Sequence, residues 1–280
     1  MKPLWRPAFL LALVFCSCAT AQESSDSRQL NFQLLAAARA GDAAATERLV
    51  HAGASVKTRN RVGATPLLEA ARGGHTAVVR TLLAADADVD QANLEQATPL
   101  LEAARNGHLE TATVLIQSGA DVNRVDLQLL SPLMHAVYGG HTPLVKLLIE
   151  SGAKVDLVDR TGKSALVYAA GSGNAEIVAL ILDRNVDPNQ RFENDLTALM
   201  WAAGYGHVDS MQALLARGAR VDLRDNRGMS ALMIASAQGH LAAVRKLLES
   251  GADKSLKDRN GKTARDHAAA GGHSEVVNVL

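Results

Sequence analysis

Small and apolar residues recur along most of the chain at a fixed interval of 33 residues, as between Thr65 and Thr98. Each interval opens with Thr or Ser, then Pro or Ala, then Leu in all but the last copy. These openings lie at Thr65, Thr98, Ser131, Ser164, Thr197, Ser230 and Thr263. No insertion or deletion interrupts the interval between them. Such a period predicts stacked copies of one supersecondary unit, because a single copy cannot bury its apolar face alone.

Within each interval the pattern predicts two short helices. The opening Thr or Ser is a typical N-cap, and a proline such as Pro66 suits the first turn because its missing N–H costs nothing there. A glycine then ends the first helix in the left-handed conformation. The second helix has an apolar face, as at Val78 and Leu82, and stops at a Gly-Ala pair. Asp86 and Asn185 replace that glycine and tolerate positive φ best after it.

The unit TPLLEAARGGH followed by TAVVRTLLAADADVD resembles the ankyrin repeat, whose period and T-P-L opening it shares. The resemblance covers about residues 30–280. It implies an all-α ankyrin-repeat solenoid of about eight helix-turn-helix units with β-turn or hairpin fingers. The residue after T-P-L is usually His in the family, but here it is Leu68, Leu101, Met134, Val167, Met200, Met233 or Asp266. We expect that departure to weaken loop hydrogen bonding without threatening the fold.

The period also sets the boundaries of the units. The first unit, 30–57, lacks the T-P-L opening and the finger before it, which is typical of an N-terminal cap. The last unit, 256–280, carries Arg265 and Asp266 where earlier units have apolar residues, which is typical of a C-terminal cap. The six units between the caps are 58–90, 91–123, 124–156, 157–189, 190–222 and 223–255.

The first 21 residues differ in character from the repeats. Lys2 and Arg6 precede an apolar run that ends at Cys16, and Ala19-Thr20-Ala21 supplies the small residues of a cleavage site. This order is typical of a secretory signal peptide, so we expect residues 1–21 to direct export to the periplasm or the medium. Residues 22–29 are predicted to be a disordered linker.

The two cysteines of the chain, Cys16 and Cys18, both lie inside the predicted signal peptide. Cleavage after Ala21 would therefore leave a mature chain without disulfides. A lipid anchor on Cys18 is the alternative, although the residues before it match a lipoprotein box poorly. The apolar run is too short to span a membrane as a mature helix.

Charge and motif content narrow the function further. The chain has 29 Lys and Arg and 29 Asp and Glu, so its formal net charge is zero. A balanced chain has no overall field that would attract nucleic acid or an anionic membrane. The sequence has no H-E-x-x-H, no G-x-S-x-G and no P-loop, and we therefore predict neither an enzyme nor a cofactor.

Three patterns resemble chemical sites, but the repeat explains each of them. Histidines such as His75 stand one per repeat, whereas zinc needs its ligands around one point. Asp86, Asp88 and Asp90 lack the glycine and the bidentate Glu of a calcium loop. Gly171-Ser172-Gly173 ends a predicted helix instead of following a strand. We therefore predict no metal site.

Aromatic residues make up only 3% of the chain, and five of them fall within residues 138–205. Members of the ankyrin-repeat family usually make contacts through their fingertips and the ends of their first helices, so the resemblance implies a partner on those surfaces. Interface hot spots favour Trp and Tyr. Packing between repeats is the alternative for Tyr168 and Trp201. The predicted partner-binding residues are Leu127, His135, Tyr138, Tyr168, Phe192, Trp201 and Tyr205.

The sequence thus predicts an exported, monomeric scaffold that binds another protein through its concave groove and fingertips. Two alternatives stay open. The layout resembles that of ankyrin proteins exported by bacteria, some of which protect periplasmic enzymes, and this implies an accessory subunit of such an enzyme. A secreted effector that acts on a host protein would use the same fold.

Overall fold

The computed structural model describes residues 26–280. The predicted signal peptide, the lipid-anchor alternative at Cys18 and residues 22–25 of the predicted linker lie outside the described residues. A helix covers residues 26–40, so the expected disorder is wrong for residues 26–29. The helix takes the place of the finger that precedes the first helix in the later units.

Eight helix pairs follow one another through residues 26–280, in agreement with the predicted repeat fold. The first helices are α1 (26–40), α3 (Pro66–Arg72), α5 (Pro99–Arg105), α7 (Pro132–Tyr138), α9 (Ala165–Ser172), α11 (Ala198–Tyr205), α13 (Ala231–Ala237) and α15 (Ala264–Ala270). The second helices are α2 (Ala43–His51), α4 (Thr76–Ala84), α6 (Leu109–Gln117), α8 (Thr142–Glu150), α10 (Ala175–Leu182), α12 (Val208–Ala216), α14 (Leu241–Glu249) and α16 (Ser274–Val279). Between residues 26 and 280 we find no helix with the length and apolar character needed to cross a membrane.

Hydroxyl side chains begin most of the first helices, as predicted. Thr65 Oγ1 accepts a hydrogen bond from the Leu68 amide at 3.2 Å, and Ser131 Oγ accepts one from the Met134 amide at 3.2 Å. Ser164 is an exception, since its side chain makes no capping bond. Such caps stabilise a helix by about 1 kcal/mol each, so the short first helices depend on them.

Glycines in the left-handed conformation end the first helices, also as predicted. Gly173 ends α9 at a φ of 79°, and Gly206 ends α11 at a φ of 74°. The sharp reversal that follows starts the second helix of the same unit. Asp86 and Asn185 adopt positive φ at the ends of second helices, with values of 61° and 59°. The positive φ predicted for these two residues is therefore confirmed.

The chain divides into two compact groups of repeats, numbered unit 1 and unit 2; a unit without these numbers is a single 33-residue repeat. Unit 1 comprises Met1–Ala103 and Glu110–Ala120, of which the structure describes the part from residue 26; unit 2 comprises Ala104–Leu109 and Asp121–Leu280. In unit 2 the first helices from α7 to α15 pack side by side in chain order, and the second helices from α8 to α16 do the same. Fully buried alanines such as Ala170 and Ala203 lie in the first helices, where small side chains let neighbouring backbones approach closely.

Short fingers join one helix pair to the next. Isolated antiparallel bridges close three of them, at Val158 with Ser164, at Phe192 with Leu196 and at Arg224 with Ser230. One 3-10 turn, Glu193–Asp195, lies in the finger before α11. The fingers and the first helices are the parts of each unit that position the candidate site.

Candidate functional site

A buried or half-buried Asn or Asp stands at the base of nearly every finger and closes its turn. Asp159 Oδ1 accepts hydrogen bonds from the amides of Thr161 and Lys163 at 2.8 and 2.9 Å, and Asp225 Oδ1 accepts the equivalent pair. We call this position the finger base. Its polar occupants are Asn60, Asn93, Asp126, Asp159, Asp225 and Asp258.

In four units the second polar atom of the finger base binds the side chain nine residues further on, in the first helix of the same unit. Asn60 Nδ2 donates to Glu69 Oε1 at 2.8 Å, and His267 Nε2 donates to Asp258 Oδ2 at 3.0 Å. The Tyr168 hydroxyl donates to Asp159 in the same way. Sequence reasoning missed these pairs. A spacing of nine between the finger base and a hydrogen-bonding residue was the signal that would have found them.

The sixth unit replaces this polar pair with an aromatic one. Phe192 occupies the finger base and Trp201 the position nine residues on, and their ring centroids lie 5.8 Å apart at an interplanar angle of 80°. An edge-to-face pair of this kind contributes about 1 kcal/mol beyond its buried area. In the sixth unit, ring contacts therefore replace the hydrogen bond between the finger base and the first helix.

The aromatic residues of unit 2 form two groups of contacting rings, one on α7 and α9 and the other on α11 and the finger before it. Tyr138 meets Tyr168 edge to face, with ring centroids 6.0 Å apart. Trp201 meets Tyr205 at 5.8 Å as well as Phe192, and its indole ring lies against Gly171 of the same helix as Tyr168. We call these five residues the aromatic surface. The sequence predicts all five as candidates for partner binding, and the structure places them in one pair and one trio of contacting rings.

Two rings of the aromatic surface are open to solvent. Tyr138 is 75% exposed and Tyr205 is 57% exposed, although both carry a large apolar ring. Tyr168, Phe192 and Trp201 are half-buried and support them. The aromatic surface therefore combines two exposed rings with three half-buried ones, residue types that interface hot spots favour.

Electrostatic interactions hold the Tyr168 hydroxyl and the Trp201 ring of the aromatic surface in place. Burial raises the pKa of Tyr168 well above its ordinary value, and its hydrogen bond to the Asp159 carboxylate raises it further. The hydroxyl of Tyr168 therefore stays protonated and keeps donating. The Lys163 ammonium lies 5.1 Å from the centroid of the Trp201 ring, a cation–π contact.

His135 does not join this surface. It is only 8% exposed, because its Nε2 donates to Asp126 Oδ2 at 2.9 Å and the ring packs inside the unit. Its burial leaves little area for a partner, so the assignment of His135 as a contact residue is not supported by its geometry. Leu127 lies at the tip of the finger before α7, where it and Leu129 are exposed.

In unit 1 the equivalent positions carry ion pairs in place of rings. The sequence predicts that Arg72 is neutralised by Glu69 within its own helix, and the structure has that contact at 3.6 Å. Shorter contacts join neighbouring repeats within unit 1: Arg39 Nε donates to Glu69 at 3.1 Å, and Arg72 donates to Glu102 at 3.0 Å. These arginines therefore tie successive helices together.

Histidines that recur at one position of the repeat, such as His75, His207 and His240, also join one repeat to the next. We call them the histidine column. Nε2 of His207 donates to the Gly171 carbonyl at 3.0 Å, and Nε2 of His240 donates to the Gly204 carbonyl at 3.0 Å. His75 makes the same bond to Arg39 at 3.1 Å. Each carbonyl lies near the end of a first helix, where intrahelical donors run out. The histidines thus have a structural role between neighbouring units.

A shared framework with a variable surface defines a class of protein: a repeat scaffold that presents side chains to a partner. A family model described as "Ankyrin repeats (3 copies)" matches residues 34–126, 127–192 and 199–280. The chain therefore belongs to the ankyrin-repeat family, whose repeats generally serve as protein–protein interaction modules and are typically non-catalytic. A comparison with curated proteins finds no match.

Proposed function

We propose that this chain is an exported binding scaffold that holds a partner protein on the aromatic surface of unit 2. One observation carries the proposal. Beyond residue 25 the sequence has only six Phe, Tyr or Trp residues, and five of them lie together on this surface. Aromatic rings give large contact areas at low conformational cost, which is why they dominate interface energies.

The exposure of the surface supports contact with a partner over a purely packing role. Tyr138 adds little to the packing of α7 because most of its ring faces water. A ring that is supported from below and open above loses little side-chain entropy on binding. Export rests on the pattern of residues 1–21, and it would place the partner in the periplasm or the medium.

The experiment is affinity capture from cell fractions with the full chain, followed by mass spectrometry, and then quantitative binding to the protein recovered. We expect Tyr138→Ala combined with Tyr205→Ala to weaken that binding by at least about tenfold, the usual effect of losing two hot-spot rings. The matched control is Leu94→Ala, which removes an exposed apolar side chain from unit 1. Equal binding by the double variant and the wild type would refute the assignment.

Export has its own test. Cell fractionation and the intact mass of the recovered protein should show a chain that begins at residue 22 outside the cytoplasm. A full-length chain confined to the cytoplasm would refute export while leaving the aromatic surface to be judged by its own variants. A captured enzyme would support the accessory-subunit version of this function, and a host protein would support the effector version.

A further inference from the structure

A groove of about 990 Å³ lies in unit 1, between α1 and the finger before α3. It exists because α1 begins early. Phe32 stands 33 residues before the N-cap Thr65, yet it lies inside a helix that already covers residues 26–31. In the later units a finger precedes this point. The helix extension forms one wall of the groove, and the finger at residues 58–62 forms the other.

The groove has an open apolar lining. Phe32 is 68% exposed and Val62 is 52% exposed, and Leu35 is a third apolar residue of the lining. A terminal unit of a repeat stack needs a polar outer face, because no further unit covers it. An exposed Phe in the N-terminal cap departs from that need. Phe32 is also the one aromatic residue beyond residue 25 that is outside the aromatic surface.

The rim of the groove is basic. Arg28, Arg39, Arg59 and Arg61 line it, and Glu69 is the one acidic residue among them. Glu69 is almost fully buried, and its carboxylate already accepts from Arg39 and Asn60. Among residues 26–280, neither Arg28 nor Arg61 has an ion-pair partner. The groove therefore offers apolar contact and uncompensated positive charge at the same place.

We propose that this groove is a second binding site, separate from the aromatic surface, for a short peptide segment of a partner protein in which an apolar side chain stands between carboxylates. The apolar side chain would pack on Phe32, Leu35 and Val62. Its flanking carboxylates would accept from Arg28 and Arg61, since guanidinium groups bind carboxylates through paired N–H donors. The chemistry matches the recognition of acidic motifs by arginine clusters.

Sequence, charge and shape disfavour the other occupants. Cleavage after Ala21 would leave only residues 22–25 ahead of α1, and these are Gln, Glu, Ser and Ser, with no apolar side chain to pack on Phe32 and Val62. A second copy would present the same basic groove to its partner if the contact were symmetric. A flat anionic membrane would meet the exposed arginines but not Leu35, which is half-buried.

The test uses fluorescence anisotropy with the full chain and a labelled synthetic peptide that has two adjacent leucines flanked by glutamates. Matched peptides replace either the leucines with serine or the glutamates with glutamine. We expect the parent peptide to bind best and both replacements to weaken binding by at least about tenfold, equivalent to about 1.4 kcal/mol each. Binding that ignores the leucines would overturn the proposal, because it would show a simple anion site.

Variants of the protein assign the binding to the groove. Two variants should each weaken the binding of the parent peptide by at least about tenfold: the double variant Arg28→Glu with Arg61→Glu, and the single variant Phe32→Ser. Arg80→Glu is the matched control, because Arg80 is an exposed arginine of the same unit on α4, and it should leave the affinity within about twofold. Tyr138→Ala with Tyr205→Ala should leave this affinity unchanged, which separates the groove from the aromatic surface.

Three further measurements decide the occupant. The melting temperature of Phe32→Ser should equal that of the wild type; a drop of several degrees would show that the chain's own residues cover Phe32, and would overturn the proposal. Sedimentation should be independent of concentration, because dimerisation lost in Phe32→Ser would assign the groove to a second copy. Vesicles of anionic lipid that recruit the wild type but not the arginine variant would assign it to a membrane.

Discussion

The indole ring of Trp201 lies directly over Gly171 of the preceding unit, so that a Cβ on Gly171 would come within 2.4 Å of ring atoms Cδ1 and Nε1. Gly171 is inside α9, where Ala would ordinarily be favoured over Gly by about 0.5–1 kcal/mol. Here the close approach of the ring outweighs that preference. The aromatic surface therefore depends on a residue that has no side chain.

We predict that Gly171→Ala destabilises the protein by about 1–3 kcal/mol, because the ring has to move away from Phe192 and Tyr205 to make room. Gly204→Ala is the matched control. It stands at the equivalent position of the next unit, where a Cβ would meet a single methyl carbon of Ile234 at 3.2 Å. Urea unfolding measures both variants. Equal stability of the two would contradict the prediction.

The bond between Tyr168 and Asp159 leads to a second prediction. Tyr168→Phe removes the one side chain that donates to Asp159 Oδ2 from the first helix. A hydrogen bond to a charged acceptor contributes about 1.5–3 kcal/mol when buried, and partial exposure of Tyr168 lowers our expectation to about 1–2 kcal/mol. Tyr138→Phe is the control, since that ring is mostly exposed. Thermal or urea unfolding should separate the two variants clearly.

That penalty should depend on pH. Burial favours the neutral form of Asp159, but hydrogen bonds from Tyr168, Lys163 and Thr161 outweigh it and hold the pKa of the carboxyl below its ordinary value. A group whose pKa is lowered by folding adds stability above its unfolded pKa, and loses it as the pH falls through the folded pKa. The cost of Tyr168→Phe should therefore be complete at neutral pH and shrink below about pH 4. A cost that stays constant down to pH 3 would speak against the charged hydrogen bond.

Much of the fold was predictable because its chemistry is local. Capping at Thr65 depends on the amide three residues on, and the left-handed turn at Gly173 depends on one residue. Repetition multiplied these weak local signals until they were unambiguous. The aromatic surface was predictable for the same reason, since Tyr138 and Tyr205 follow at the ends of first helices whose register was known.

Contacts between units were not predictable from local patterns. Arg39 reaches Glu69 across 30 residues, although Arg72 stands much nearer in sequence. His135 was expected to face a partner, but Asp126 at the finger base draws its ring inward. The groove at Phe32 was missed because residues 26–31 continue a helix where the period predicts no element. Each of these depends on which neighbour a side chain finds after stacking.

Two buried serines provide a third prediction. Ser210 Oγ and Ser236 Oγ are buried and make no hydrogen bond within residues 26–280. A buried hydroxyl without a partner costs about 1–3 kcal/mol of desolvation. The position of Ser236 holds Ala170 and Ala203 in the two preceding units, so Ala fits it without a cavity. We expect Ser236→Ala to raise the free energy of unfolding by about 1 kcal/mol.

The control for this gain is Ser172→Ala, because Ser172 is exposed and its hydroxyl already donates to the Ala169 carbonyl at 3.1 Å. The free energy of unfolding of Ser172→Ala should differ from that of the wild type by less than about 0.5 kcal/mol. Ser210→Ala should behave like Ser236→Ala, since the fully buried Ala243 stands at the equivalent position of the next unit. If neither buried serine gains stability when replaced by Ala, an unseen water satisfies the hydroxyl and the reasoning fails.

The histidine column supplies the last prediction. His240 Nε2 donates to the Gly204 carbonyl, and this bond joins the start of α14 to the end of α11 in the unit before it. His240→Ala should cost about 1 kcal/mol, because the carbonyl then relies on water at a partly buried position. His51→Ala is the control: His51 is exposed and stands outside the column. Since stacked repeats unfold through their interfaces, the loss at His240 should also reduce the cooperativity of urea unfolding, measured as the slope of the transition. Identical transitions for the two variants would show that the column does not join the units.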